Sequence, residues 1–265
     1  MNNLDRTILK AKENNKKILS LFVTAGFPTL ETTVPLVLAL AKSGADVVEL
    51  GIPFSDPVAD GPVIQASSEI ALRNGTTLTK TLEMARQIRE QSQIPLVLMG
   101  YANPILAYGM DAFLSSCEQI GINGCIIPDL PMEESEEYRT KARQHGISTI
   151  FLATPTTSNE RLKQLDEIST GFLYCVSITG VTGERTQISE QSKEFLLRAR
   201  EHVTKNPLFV GFGISTPEDA KSISQYADGI IIGSALVKIL KNSPQEQGIN
   251  EAVKFVLSIR KGIDS

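Results

Sequence analysis

Cysteine, histidine and surplus positive charge are all scarce in this chain, and each scarcity removes a class of chemistry. Cys117, Cys125 and Cys175 are the 3 cysteines among 265 residues. An odd, scattered set builds neither a disulfide framework nor a C-x-x-C metal or redox pair, which fits a reduced, cytoplasmic setting. The 2 histidines, His145 and His202, fall near predicted helix ends, where a solvated surface is their ordinary place. Lys plus Arg number 26 against 30 Asp plus Glu, for a net charge of −4. No positive field exists to hold a phosphodiester backbone, which argues against a nucleic-acid partner. The longest apolar run, Val34 to Ala41, is far short of the roughly 18 residues that suggest a membrane span. The opening MNNLDRTILKAKENNKK is too polar for a secretory signal.

What remains is an ordinary globular composition, 42% hydrophobic and 21% charged, with material for a real core. The length suggests one or two domains, although an α/β barrel commonly uses about 250 residues for one. Short apolar, β-branched runs recur at Ile18–Val23, Asp46–Leu50, Pro95–Met99, Gly124–Ile127, Ile147–Leu152, Phe172–Val176, Pro207–Val210 and Gly229–Ile232. Gly, Pro or polar residues bound each of them. Between them lie helical stretches: Thr32–Lys42, Leu78–Glu90, Asp111–Gln119, Glu133–Gln144, Ser158–Ile168, Ser189–His202 and Pro217–Gln225, with Glu251–Arg260 closing the chain. Eight such alternations in 265 residues give about 33 residues per βα unit and imply a parallel sheet. An open doubly wound sheet is the structural alternative, but no linker or composition shift divides the chain. The pattern predicts a single (βα)8 TIM-barrel domain over residues 1–265. An extra N-terminal helix, Leu4 to Asn14, would cover its bottom, and Asn242–Gly248 reads as a surface loop.

Active groups in such barrels stand at the C-terminal ends of the strands. The second strand ends in VVEL, and alternation sets Val47 and Glu49 on one face, so Glu49 faces the barrel interior. A Glu in an apolar strand is most often outward and solvated, or paired in a barrel layer. The following loop, GIPFSDPVADGP, adds Asp56 and Asp60 among residues that shape a long excursion over the mouth. Carbon–carbon cleavage beside a hydroxyl otherwise draws on a Schiff-base Lys or a metal. No Lys falls at the C-terminal end of a predicted strand, no His or Cys cluster has metal-ligand spacing, and no nucleophile triad can be assembled. Cys175, beside a strand end, is the one cysteine with a possible role beyond packing. Acid–base chemistry by carboxylates is left, with Glu49 tuned by partial desolvation.

Two late loops read as a phosphate site. GFGIS, running on into STPEDA, and GSALVK place glycines and a hydroxyl residue at helix starts after the seventh and eighth strands. Unpaired amides there can receive a dianion that glycine lets approach closely. The loop after the sixth strand, SITGVTGERT, could close over the same site with Gly180 and Gly183 as flexible points.

The run beginning at Glu49, ELGIPFSDPVADGPVIQ, resembles the signature of the tryptophan synthase alpha subunit family. FVTAGFP, MGYANPI, PDLPMEE, VSITGVTGERT, GFGIS and GSALVK agree in order over nearly the whole chain. The resemblance implies a barrel that cleaves indole-3-glycerol phosphate to indole and glyceraldehyde 3-phosphate, a retro-aldol lyase reaction without metal or cofactor in this chain. It implies Glu49 as the acid–base residue and Asp60 as the acceptor of the indole N–H. Phe22, Met99, Ile126 and Tyr174 would line the ring pocket. Thr182 would contact the aspartate from the closing loop, and Gly183, Gly211, Gly213, Gly233 and Ser234 would bind phosphate. It further implies a pyridoxal-phosphate-dependent beta subunit as partner in an alpha2-beta2 heterotetramer, with Asp56, Pro57 and the region Asn103–Gly109 at the contact. One departure is visible: Phe27 stands in TAGFP where many relatives carry an acidic residue, and an exposed Phe there would add an apolar interfacial contact. The phosphate loops alone would equally serve a sugar-phosphate isomerase or epimerase, although metal-dependent epimerases need strand-end His. A stand-alone indole-releasing lyase would use the same residues, and a non-catalytic activator barrel would have no need to keep both acids.

Overall fold

Strands covered on both faces read as nearly unbroken apolar runs, and that pattern organises the whole molecule. A computed structural model describes residues 1–176, 189–211 and 213–265. Its parallel strands are β1 (Ile18–Thr24), β2 (Val47–Gly51), β3 (Leu96–Met99), β4 (Gly124–Ile126), β5 (Ser148–Ile150), β6 (Leu152–Ala153), β7 (Leu173–Val176), β8 (Leu208–Gly211) and β9 (Gly229–Ile232). They follow the order β5-β4-β3-β2-β1-β9-β8-β7-β6. Only Phe151 separates β5 from β6. β5 pairs with β4 and β6 with β7, so the predicted fifth strand is one interrupted strand whose two halves serve opposite neighbours. The barrel is thereby closed.

Helices α1 (Asn3–Glu13), α2 (Thr33–Lys42), α3 (Pro62–Arg73), α4 (Leu78–Gln91), α5 (Ala102–Tyr108), α6 (Met110–Ile120), α7 (Glu136–Gln144), α8 (Asn159–Ile168), α9 (Glu190–His202), α10 (Pro217–Ser224), α11 (Ser234–Asn242) and α12 (Gln245–Ile263) accompany the strands. One core fills the space between strands and helices, with Leu36, Leu40, Leu50, Phe113 and Phe195 among its members. A second fills the barrel interior and joins Ile18, Val47, Val97, Ile126, Ile150, Phe172, Phe209 and Ile231. Leu4 of α1 belongs to it, so the N-terminal helix plugs the bottom. Asn2 and Asp5 form a capping box at its start, and the Asn2 side-chain amide donates to the Asn123 carbonyl and to Ser148 Oγ.

Three differences from the sequence reading have physical reasons. Helix α3 is absent from the predicted set because its covered face is Ile64, Ser67, Ser68 and Ala71, which hides the apolar period. Residues 245–248 of the predicted surface loop lie in α12. Pro244 is the N-cap there and Gly248 is covered near Leu240, so within that segment they are respectively a helix start and a packing position. Phe27 is 1% exposed and lies in the main core, which corrects the expectation of an interfacial side chain. The turn beside it needs Gly26, whose φ is +79° and whose added Cβ would meet Thr76 Oγ1 at 1.8 Å.

Candidate active site

Parallel strands of a barrel all deliver their C-terminal ends to one mouth. On β1 the inward positions are Ile18, Ser20 and Phe22, and on β2 they are Val47, Glu49 and Gly51. Phe22 is in register with Glu49, and Ser20 with Val47. Glu49 has no exposed surface. Ser20 Oγ donates to its Oε1 at 2.7 Å, while Oε2 has no hydrogen-bond partner among the described residues. Burial pushes the carboxyl up to about 7, against the smaller opposing effect of the Ser20 bond.

Asp60 sits where the loop after β2 turns into α3, with Gly61 as N-cap and Pro62 at the first helical position. Gln65 Nε2 donates to the Asp60 carbonyl at 2.9 Å, tying the loop to the helix. Tyr101 Oη donates to Asp60 Oδ2 at 3.1 Å and accepts from the Ala59 amide at 3.1 Å. Its ring stacks on Phe54 with centroids 5.2 Å apart. Burial pushes Asp60 up to about 6, partly offset by the Tyr101 bond. Tyr174, on β7, is held well above the usual phenol range by burial and then by the charges of Glu49 and Asp60. The charges of both acids reach this one phenol.

Gly51 leaves room for the Phe22 ring, since a Cβ there would meet Cζ at 2.5 Å, and Gly211 does the same for Tyr174, whose Oη would lie at 2.7 Å. Met99 is half-buried and in register with Ile126. Ile126 is fully covered and belongs to the interior packing.

The two late helices differ at their starts. On α10, Thr216 Oγ1 accepts the Asp219 amide, and Asp219 Oδ2 accepts the amides of Ser215 and Thr216. Those amides are spoken for. On α11 the N-cap is Gly233, followed by Ser234, and among the described residues no side chain caps it. Gly213 is exposed, has φ +60° and has nothing within 4 Å of an added Cβ. Thr182, Gly183 and the predicted closing loop with Gly180 lie outside the described residues.

Asp56 is exposed, and Pro57 is buried within the chain. The region Asn103–Gly109 forms most of α5, which carries Leu106 at 61% exposed, and Val58 in the β2 loop is 83% exposed. His145, near the C-terminal end of α7, is half-buried and hydrogen-bonded to the exposed Glu118 at 2.7 Å. Burial pushes the Cys175 thiol up to about 12, which leaves it a packing residue. Ser20 and Tyr101 are the site residues that motif reading missed. The only sequence signal for Ser20 is a hydroxyl inside the apolar strand ILSLFVT.

A closed parallel barrel with two raised carboxylates at its mouth defines the class: a TIM-barrel enzyme equipped for acid–base chemistry. Residues 8–262 match the family model described as tryptophan synthase alpha chain. The tryptophan synthase alpha chain of Petrotoga mobilis is 49% identical over 93% of this chain and 96% of its own length. That of Geotalea uraniireducens is 45% identical over 99% and 98%. The crystal structure of tryptophan synthase subunit alpha from Legionella pneumophila str. Paris superposes with a TM-score of 0.92 at 41% identity, covering 100% of this chain and 99% of that one. The chain belongs to the tryptophan synthase alpha chain family, lyases of tryptophan biosynthesis.

Proposed function

We propose that Glu49 and Asp60 perform the family's reaction, cleavage of indole-3-glycerol phosphate to indole and glyceraldehyde 3-phosphate, as acid–base residue and charge-stabilising partner. In this retro-aldol step the bond from the indole ring carbon to the side chain breaks. That ring carbon gains a proton, and the adjacent glycerol hydroxyl loses one to become the aldehyde. A single carboxyl can serve both transfers only if its two protonation states are both accessible near neutrality. The observation that carries the reading is Glu49, fully buried and raised to about 7, with Oε2 unpartnered among the described residues. Asp60, held by Tyr101, would accept the indole N–H and stabilise the positive charge that develops on the protonated ring.

Phe22, Met99, Ile126 and Tyr174 would form the apolar wall for the flat ring. Gly211, Gly213, Gly233 and Ser234 would receive the phosphate, with the uncapped start of α11 as the dianion's main seat. Gly183 would join them, and Thr182 would reach Asp60 from the loop between β7 and α9. The reading takes residues 1–265 as one domain working in the cytoplasm. Among the described residues, no helix is long and apolar enough to cross a membrane. As an alpha chain it needs no cofactor of its own. The pyridoxal phosphate belongs to a beta subunit that receives indole in an alpha2-beta2 assembly. Asp56, Pro57 and α5 would contact that subunit, and the exposed Val58 and Leu106 suit such a face.

The test is to incubate the purified chain with indole-3-glycerol phosphate and measure indole, alone and with a beta subunit. Slow release that the partner stimulates is expected, with near loss in Glu49→Gln and Asp60→Asn. Undiminished turnover in Glu49→Gln refutes the assignment.

A further inference from the structure

Strand β1 carries two polar side chains, Ser20 and Thr24; Thr24 at its end pairs with Ser67 of α3, while Ser20, between Leu19 and Leu21, has no exposed surface. A hydroxyl taken out of water is costly unless bonded. Its bond is the one to Glu49 Oε1, at 2.7 Å. In the strand register Ser20 lies beside Val47, one inward-facing pair below Glu49. The bond therefore draws one carboxylate oxygen toward the barrel interior. We propose that Ser20 is a positioning residue for the lyase reaction, anchoring Glu49 through Oε1 so that Oε2 is the oxygen that exchanges protons with substrate.

The inference rests on the acid–base reading of Glu49. Two consequences follow from the geometry. A glutamate with no second partner among the described residues is oriented there by this single donor, and removing it frees the side-chain torsions that aim Oε2. The donor also favours the ionised carboxylate, so its loss moves Glu49 further up. Among the described residues, Tyr174 on β7 feels the charges of both Glu49 and Asp60. Tyr174 and Asp60 stay in place when Ser20 is changed, so a shift on substitution reports Ser20 itself.

The experiment compares the full-length wild type with Ser20→Ala and Ser20→Thr. The Glu49 carboxyl is titrated by carbon NMR, assigned by difference against Glu49→Gln, and indole release is followed from pH 5.5 to 9. In Ser20→Ala the Glu49 midpoint and the matching limb of kcat/KM are expected to move up by about one pH unit. Turnover should fall about tenfold with KM within about twofold, the pattern of a lost transition-state interaction. Ser20→Thr keeps the hydroxyl and restores both. A Glu49 midpoint unmoved in Ser20→Ala overturns the inference, as does a shift in Ser20→Thr as large as that in Ser20→Ala. Retained turnover in Glu49→Gln would instead strike at the acid–base reading, while the NMR titration still decides whether Ser20 holds this carboxylate.

Discussion

Two buried carboxylates toward opposite ends of the barrel, Asp166 and Glu49, are shifted in opposite directions. At the bottom, a residue just before a strand accepts the amide of a neighbouring strand: Asp46 takes Leu19, Asp228 takes Leu208, and Asn123 takes Leu96. Asp166, 4% exposed, accepts the amides of Thr204, Lys205 and Asn206. Burial works against its ionisation, but these bonds outweigh it and hold the carboxyl below its usual range. At the mouth, Glu49 is more deeply buried, yet among the described residues it is offered one hydroxyl and no amide, and it is raised to about 7. The same functional group is a fastening in one place and a reactive group in the other. The difference lies in the donors the backbone supplies, since a buried carboxylate without them prefers to keep its proton.

That contrast can be broken most forcefully at the bottom. Asp166→Ala leaves three amides without their acceptor and is expected to lower the unfolding free energy by about 3 kcal/mol, measured by urea denaturation at pH 7. Because the folded pKa of Asp166 is depressed, its contribution is present above the unfolded value and lost as pH falls. The gap between wild type and variant should therefore close toward acid. A constant gap would show that the amide bonds do not depend on the charge.

Glu49→Gln sharpens the comparison from the other side, because it should cost turnover while adding stability. The folded carboxyl titrates at about 7 against about 4.5 when unfolded. Stability from the neutral form is complete below the unfolded value and is lost as pH rises through about 7. Between pH 5 and pH 8 the unfolding free energy of wild type relative to Glu49→Gln should fall on the order of 2 kcal/mol. Equal pH dependence in paired denaturation curves would mean that Glu49 is not raised. The smallest effect is expected at Tyr101→Phe, which removes the hydroxyl bonded to Asp60 and to the Ala59 amide and should cost about 1 kcal/mol. Loss of a donor to its carboxylate also moves Asp60 above about 6, and a carboxyl titration that leaves Asp60 unmoved would contradict this.

The strand–helix alternation, the inward aim of Glu49 and the motif carrying Asp60 were legible along the chain because they are local: period, alternation and short spacing. Helix α3 was not, since serines cover its buried face, and neither was the burial of Phe27. Ser20 and Tyr101 escaped because their meaning lies in partners 29 and 41 positions away.

The order of residues by itself determined the repeating βα units, the interior position of Glu49 and the family to which the chain belongs. Only the closed barrel decided which carboxylate keeps its proton, which helix start is left uncapped and which glycine makes room for an aromatic ring. Side-chain periodicity is a property of neighbours in the chain, whereas desolvation and hydrogen-bond supply depend on what distant strands bring within about 3 Å.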